Sequence, residues 1–195
     1  FTMFAVTLRD FGIDVRIAKS DSADALAALT DDRTKAIYLE NLGNPAFNIP
    51  DYEPITEMAH KKGICVIVDN TFSCGGYLFR PIDWGANVSV HSATKWICGH
   101  GTTLGGVVVD GGNFEWTSEK YPQLAAPSES YHGIIYKDVF GPAAFAGRVR
   151  VDGLRNIGPA QSPFDAFLLL QGLETLSLRA ERCCANTLAV AEFLE

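Results

Sequence analysis

The chain is short of basic charge: 16 Lys and Arg stand against 23 Asp and Glu, for a formal charge of −7. A nucleic-acid surface needs clustered Lys and Arg, and that class is set aside. No apolar run approaches the roughly 18 residues of a membrane-spanning helix, and the first residues do not read as a secretory signal. Neither a membrane nor a nucleic acid is therefore expected as a partner. The five cysteines (Cys65, Cys74, Cys98, Cys183 and Cys184) include no CxxC pair, and their odd count does not suit a disulfide framework. Such usage predicts a reducing, cytoplasmic setting. No His/Cys/Asp cluster has the spacing of a metal site, so no metal is expected. Internal repeats and low-complexity tracts are missing too. What remains is a chain of 195 residues, 47% hydrophobic and 11% aromatic, long enough for one sizeable core and too apolar for disorder.

Apolar periodicity predicts an α/β pattern. Asp14–Ala18 reads as a short strand, and Ser20 or Asp21 can cap a helix through Leu29. Ala36–Glu40 is a second strand, closed by the turn-forming run NLGNP. Pro50 suits the first position of a helix whose apolar stripe is Ile55, Met58 and Ala59 and whose end is Lys61-Lys62-Gly63. Ile64–Val68 is continuously apolar, as a strand covered on both faces should be. Val88–His91 and Gly106–Asp110 complete the strands. Alternating strands and helices predict a largely parallel sheet, and the missing helix before the last strand allows an antiparallel member. Residues 111–160 have weak periodicity and many Gly, Pro and aromatic residues. They read as an excursion with short helices, because a structureless loop of that length is unusual in a compact domain. From Ser162 and Pro163 a helical tract runs to Glu195, with a possible kink at Gly172. The opening FTMFAVTLRDFG and the closing AVAEFLE both read as cut ends, so a piece of a longer protein is expected.

In open α/β sheets, ligands collect beyond the carboxyl ends of the strands. Glu40 to Asn44, then Asp69-Asn70-Thr71, then Ser92, Thr94 and Lys95 all fall at such ends. Asp69 closes an apolar run, and a poorly solvated carboxylate needs a cationic or hydrogen-bonding partner. It is either a turn aspartate or a counter-ion for a ligand cation. Lys95, in HSATKWICGHG, is enclosed by hydroxyls, a tryptophan and two histidines. A lysine in a partly apolar enclosure can act as an amine nucleophile or base; the plainer reading is a lysine snorkelling from a sheet edge. His91 and His100 read as satisfied polar contacts. GHGTTLGG narrowly misses a dinucleotide-binding loop and precedes a strand, which argues against that use. Asn87-Val88-Ser89 matches a glycan acceptor but lies in an expected buried strand. A buried aspartate, an activated lysine and anion-binding hydroxyls together suit pyridoxal phosphate, which needs a lysine Schiff base, a carboxylate on its ring nitrogen and donors for its phosphate.

YLENLGNP (38–45), VIVDNTF (66–72), VHSATKWICGHGTTLGG (90–106) and the tail from 162 to 194 closely resemble the Cys/Met-metabolism class of pyridoxal-phosphate enzymes. The excursion motifs GGNFEW, SYHGIIY and GLRNIGPAQSPF are most similar to O-acetylhomoserine sulfhydrylases. The resemblance implies the aspartate-aminotransferase-like (fold type I) architecture. Residues 1–160 would form the core of the large cofactor-binding domain, and 161–195 a tract leading toward a further domain. It implies roles by position: Lys95 as the catalytic and cofactor-bearing lysine, Asp69 as the ring-nitrogen partner, Ser92 and Thr94 as phosphate donors, Asn44 near the phenolic oxygen, Thr71 near the ring and Glu40 as structural support.

The implied reaction is γ-replacement on O-acetyl-L-homoserine, with sulfide or a thiol displacing acetate to give homocysteine or methionine. A homo-oligomer, dimer or tetramer, is the implied assembly. A carbon or amine nucleophile, a γ-lyase, and a non-catalytic homologue are the alternatives. Cys98 stands where relatives often carry glycine, and FSCGGYLF (72–79) departs from the usual proline-containing loop. The family's upstream glycine loop, ring-stacking tyrosine and substrate-carboxylate arginine have no counterpart in the sequence. The chain by itself is therefore expected to be inactive.

Overall fold

An apolar strand covered on both faces lies at the centre of the protein, whose computed structural model describes residues 1–195. This strand is β2 (Cys65–Asp69). It pairs in parallel with β1 (Ala36–Glu40) and with β3 (Val88–Ser92). β4 (Gly106–Asp110) adds antiparallel to β3, giving the order β1-β2-β3-β4. The parallel majority and the antiparallel member both agree with the sequence pattern.

Side chains alternate across the strands, and each face has its own cover. Ile37, Leu39, Val66 and Val68 pack against Tyr52, Ile55 and Ala59 of α2 (Tyr52–Lys61), with α1 (Ala23–Ala28) alongside. Cys65 and Val88 face the excursion, where Trp116, Tyr121, Leu124, Tyr136 and Ala144 close the second core. Each fully buried aliphatic side chain contributes about 1.5–3 kcal/mol, which is why β2 has no polar residue before Asp69.

Aromatic contacts order the weakly periodic excursion. It holds α3 (Pro122–Ala125), α4 (Tyr136–Phe140) and α5 (Ala144–Arg148), the last continued by a π-helical stretch to Ile157. Trp116 meets Tyr121 edge-on at 5.1 Å and stacks with Phe145 at 5.8 Å. The Tyr121 hydroxyl accepts from the Cys65 N–H at 3.1 Å and faces the Lys35 and Gly63 carbonyls at 2.7 and 2.9 Å, so it fastens the excursion to the edge of β2. Asn87 is 1% exposed. Its Oδ1 accepts from the Val66 N–H at 2.8 Å and its Nδ2 donates to Asn113, so it is a structural residue and not a glycan acceptor.

Four local expectations need correction. Asp14–Ala18 is irregular, because no strand lies beyond β1 to pair with it. Arg16 holds the segment instead, donating to the Leu29 carbonyl at 2.7 Å and to Asp31 at 2.5 Å. The cap of α1 is Ser22, whose hydroxyl accepts from the Ala25 N–H at 3.3 Å. Ser20 is taken up by the Ser22 N–H and Asp21 by Asn48, so neither caps the helix. α2 starts at Tyr52 rather than Pro50, since Asp51 is still extended. Gly172 does not break its helix: α6 (Pro163–Glu174) continues past it, and the break falls at Thr175, before α7 (Leu176–Leu194).

α6 and α7 pack on the turn after β3. Cys74, Ala93, Ile97, Leu176 and Ala180 form a third core there. Gly172 is needed for close approach: a Cβ at that position would overlap the carbonyl oxygens of Ile97 and Cys98 and lie 2.8 Å from the Cys98 carbonyl carbon. No helix is long and apolar enough to cross a membrane.

Candidate active site

The parallel strands β1, β2 and β3 end along one edge, and their ladder runs one residue further. The Asn41 N–H donates to the Asp69 carbonyl at 2.9 Å, and the Asn70 N–H to the Val90 carbonyl at 2.7 Å. Strand alternation then sorts the side chains. Asn41, Asn70 and His91 follow the α2 face, and Glu40, Asp69 and Ser92 follow the other.

Asp69 is the hub of that edge. Its Oδ1 accepts from the Thr71 N–H at 3.1 Å and from the Thr71 hydroxyl at 2.5 Å. Its Oδ2 accepts from the Tyr38 hydroxyl at 3.1 Å. The same Thr71 oxygen accepts from the Ser92 N–H at 2.8 Å. One chain of hydrogen bonds thus joins β1, β2 and β3. Burial, and then the charge of Asp69, push the Tyr38 phenol well above its ordinary pKa, so Tyr38 remains a donor. Sequence reasoning missed Tyr38, because its spacing from Asp69 becomes meaningful only once β1 and β2 are paired.

The remaining candidates lie on the turns that leave this edge. The Ser92 hydroxyl makes no hydrogen bond within the chain. The Thr94 hydroxyl donates to the Gly105 carbonyl at 3.4 Å and accepts from the Gly105 N–H at 3.2 Å. Asn44 is exposed on the loop after β1; its N–H donates to Glu40 Oε2 at 3.3 Å, consistent with Glu40 as support. No hydrogen bond joins the Asn44 side chain to Asp69, Ser92 or Lys95.

Lys95 is exposed, contrary to the enclosure its neighbours in sequence suggested. Its Nζ has neither a hydrogen-bond acceptor nor a carboxylate within ion-pairing distance. It lines a cleft of about 620 Å³ with Trp96, Gly99, Gly101, Leu178, Arg179 and Arg182. Both histidines point elsewhere. His91 is buried on the α2 face with Nε2 3.2 Å from the Ser89 hydroxyl, and His100 Nδ1 lies 2.7 Å from the Cys98 carbonyl. Burial lowers the His91 pKa, partly offset by Asp69. The Cys98 thiol is buried, yet the Thr102 hydroxyl and then the His100 N–H hold it down at about 6. The glycine run beyond Lys95 is a packing loop. Thr103 donates to Asp165 at 2.6 Å, and Gln161 donates to the Leu104 carbonyl at 3.0 Å, closing the loop onto the start of α6.

A primary amine without a partner, a free hydroxyl and a half-buried carboxylate, set on adjoining strand ends, form a donor set that fits pyridoxal phosphate. Fold and site together are of the α/β class whose strand ends suit a phosphate-bearing cofactor. The family model described as Cys/Met metabolism PLP-dependent enzyme matches residues 1–195, and the chain belongs to that family.

Its relatives agree. The chain is 53% identical over 197 residues to a homocysteine/cysteine synthase of Kluyveromyces lactis, covering all of this chain and 44% of that protein. It is 50% identical over 195 residues to O-acetyl-L-homoserine sulfhydrylase 1 of Thermus thermophilus, covering all of this chain and 46% of that one. A solved structure from Campylobacter jejuni, holding N′-pyridoxyl-lysine-5′-monophosphate, superposes with a TM-score of 0.92 at 38% identity, over 99% of this chain and 48% of that chain. The chain therefore spans less than half the length of these curated relatives.

Proposed function

We propose that this chain is the lysine-bearing part of a pyridoxal-phosphate enzyme that performs γ-replacement on O-acetyl-L-homoserine. Sulfide or a thiol adds at Cγ, acetate leaves, and homocysteine or methionine results. The observation that carries the reading is the hydrogen-bonded chain Tyr38–Asp69–Thr71–Ser92 across three strand ends, with Lys95 unpartnered on the turn that follows. The 50–53% identity to a homocysteine/cysteine synthase and an O-acetyl-L-homoserine sulfhydrylase supports the choice of substrate.

Lys95 Nζ would hold the cofactor, and as a free amine it would take and return protons at the substrate carbons. Asp69 would keep a negative charge for the ring nitrogen, and each unit by which that charge raised the nitrogen's pKa would be worth about 1.4 kcal/mol. Thr71 holds the Asp69 carboxylate in one orientation through two hydrogen bonds. Ser92 and Thr94 would offer hydroxyl donors to the phosphate, and Asn44 an amide to the phenolic oxygen. The cofactor supplies the electron sink that makes loss of a Cα proton feasible.

In this reading residues 1–160 are the core of the cofactor-binding domain, and 161–195 the helical tract leaving it. The whole protein is a cytoplasmic homo-oligomer. The apolar side chains left exposed on α6, Phe164, Phe167 and Leu170, support burial against further protein. The test is turnover of O-acetyl-L-homoserine with sulfide by the full-length protein. Homocysteine and acetate in equal amounts are expected. Release of 2-oxobutanoate without a nucleophile would make it a lyase. Faster capture of carbon or amine nucleophiles would reassign the pathway, and a protein that binds no cofactor would be non-catalytic.

A further inference from the structure

We propose that Arg179, on α7, is a positioning residue for Lys95; this rests on the reading of Lys95 given above. The Arg179 guanidinium bridges two main-chain carbonyls that no other group joins. Its Nη2 donates to the Trp96 carbonyl at 2.9 Å and to the Gly172 carbonyl at 2.8 Å, while Nε donates to the Thr175 hydroxyl at 3.2 Å. Trp96 is the residue after Lys95. The Lys95 N–H in turn donates to the Ser92 carbonyl at 3.1 Å, and the Lys95 carbonyl accepts from the Gly99 N–H at 2.8 Å. A fixed Trp96 carbonyl thus restrains the Trp96–Ile97 peptide, one residue beyond the Lys95 Cα, inside the turn that the Lys95 N–H and carbonyl close.

Two glycines make room for this contact. A Cβ on Gly99 would lie 2.7 Å from Arg179 Nη2, and one on Gly172 would meet the backbone of Ile97 and Cys98. The turn 95–99 and the junction of α6 with α7 are therefore built to touch main chain to main chain, with Arg179 as the bridge. The guanidinium has no carboxylate partner, so its charge is available to the carbonyl dipoles, which it binds more strongly than a neutral donor would. A lysine there presents a single nitrogen and cannot serve the two carbonyls from one atom and the Thr175 hydroxyl from another, as Nη2 and Nε do. The arrangement fixes the main chain from which Lys95 projects relative to the strand edge while leaving the amine itself free.

The experiment uses full-length protein with Arg179→Lys, and Arg179→Ala alongside. In cofactor-free protein, amide hydrogen exchange at Cys98 and Gly99 is compared with exchange at Val66 and Val68. Loss of one charge-assisted hydrogen bond should raise exchange in the turn about tenfold and leave the strand amides unchanged. In cofactor-loaded protein, Arg179→Lys should shift the pH midpoint of the bound cofactor's visible absorption and lower kcat with little change in KM. Unchanged exchange in both variants would overturn the clamp. Faster exchange with an unmoved absorption midpoint and kcat would reduce Arg179 to a structural residue and overturn the positioning role. If Arg179→Ala fails to fold, Arg179→Lys decides the outcome. Failure of the Lys95 assignment is seen separately, as unsubstituted protein in which reduction does not attach the cofactor to Lys95, and the positioning role then falls with it.

Discussion

Replacing Gly172 by Ala puts the packing of α6 on the Lys95 turn to a quantitative test. Taken alone the substitution should help, because Ala is favoured over Gly inside a helix by about 1 kcal/mol. The geometry reverses the sign. The new methyl would fall about 1 Å short of an ordinary carbon–oxygen contact of about 3.3 Å with both the Ile97 and the Cys98 carbonyl oxygens, so the two backbones must part by roughly 1 Å. Neither neighbour is a side chain that can swing away. Overpacking of this kind costs about 1–3 kcal/mol. Parting also draws the Trp96 carbonyl, 2.9 Å from Arg179, to about 3.9 Å, past the range of a hydrogen bond. A hydrogen bond to a charged group is worth about 1.5–3 kcal/mol. The net expectation is destabilisation of about 3 kcal/mol, a fall in Tm of roughly 3 °C for a protein about twice the length of this chain. Thermal and urea unfolding of the full-length protein, followed by circular dichroism, measure it. Gly63→Ala is the control: its φ is +59° with nothing within 4 Å of the added methyl, so only backbone strain of about 1–2 kcal/mol applies. A Gly172→Ala protein as stable as the parent, or more so, would refute the close-approach reading.

Three further outcomes follow from the same structure. Asn87→Ala leaves the buried Val66 N–H without an acceptor and should cost about 2–3 kcal/mol in urea unfolding; a loss below 0.5 kcal/mol, the scale of ordinary surface substitutions, would contradict it. Tyr38→Phe removes the donor to Asp69 Oδ2 and should weaken cofactor affinity by about tenfold, measured by equilibrium dialysis, with Asp69→Ala weakening it more; unchanged affinity in both would remove Asp69 from the site. His91 has its pKa lowered from 6.5 by burial, so below pH 6.5 the unfolded chain binds a proton that the folded one resists. The stabilising contribution of neutral His91 is therefore complete above pH 6.5 and is lost as pH falls from there toward the lowered folded value. His91→Gln should flatten the slope of unfolding free energy against pH in that window, and an unaltered slope would count against this account.

Much of the fold was legible because strands β1, β2, β3 and β4 each carry their own apolar signature; covered faces leave β2 little choice of residue, and β4 keeps its valine run although it is exposed. Asp14–Ala18 carries a similar alternation but lacks a partner strand, a fact of topology that no local pattern reveals. Asp69 stood out because a carboxylate that closes an apolar strand needs partners, which Thr71 and Tyr38 supply; Lys95 stood out by its place on the turn after β3. The exposure of Lys95 was not legible, since its neighbours in sequence turn away: His91 goes to the opposite face and His100 to its own loop. Tyr38 and Arg179 were missed for one shared reason. Their partners are 31 and 83 residues away in sequence, and neither interrupts the pattern of its own element. Gly172 gave a misleading signal, because glycine in a helix marks a weak point by propensity and a close contact by geometry, and only the packed neighbour tells them apart.

The central claim is that Lys95 carries the cofactor. Full-length protein loaded with pyridoxal phosphate, reduced with borohydride and digested, should yield the reduced cofactor on one peptide, at Lys95, and Lys95→Ala protein should yield none there. Reduced cofactor on another lysine, or loaded protein with no covalent label, would contradict the account.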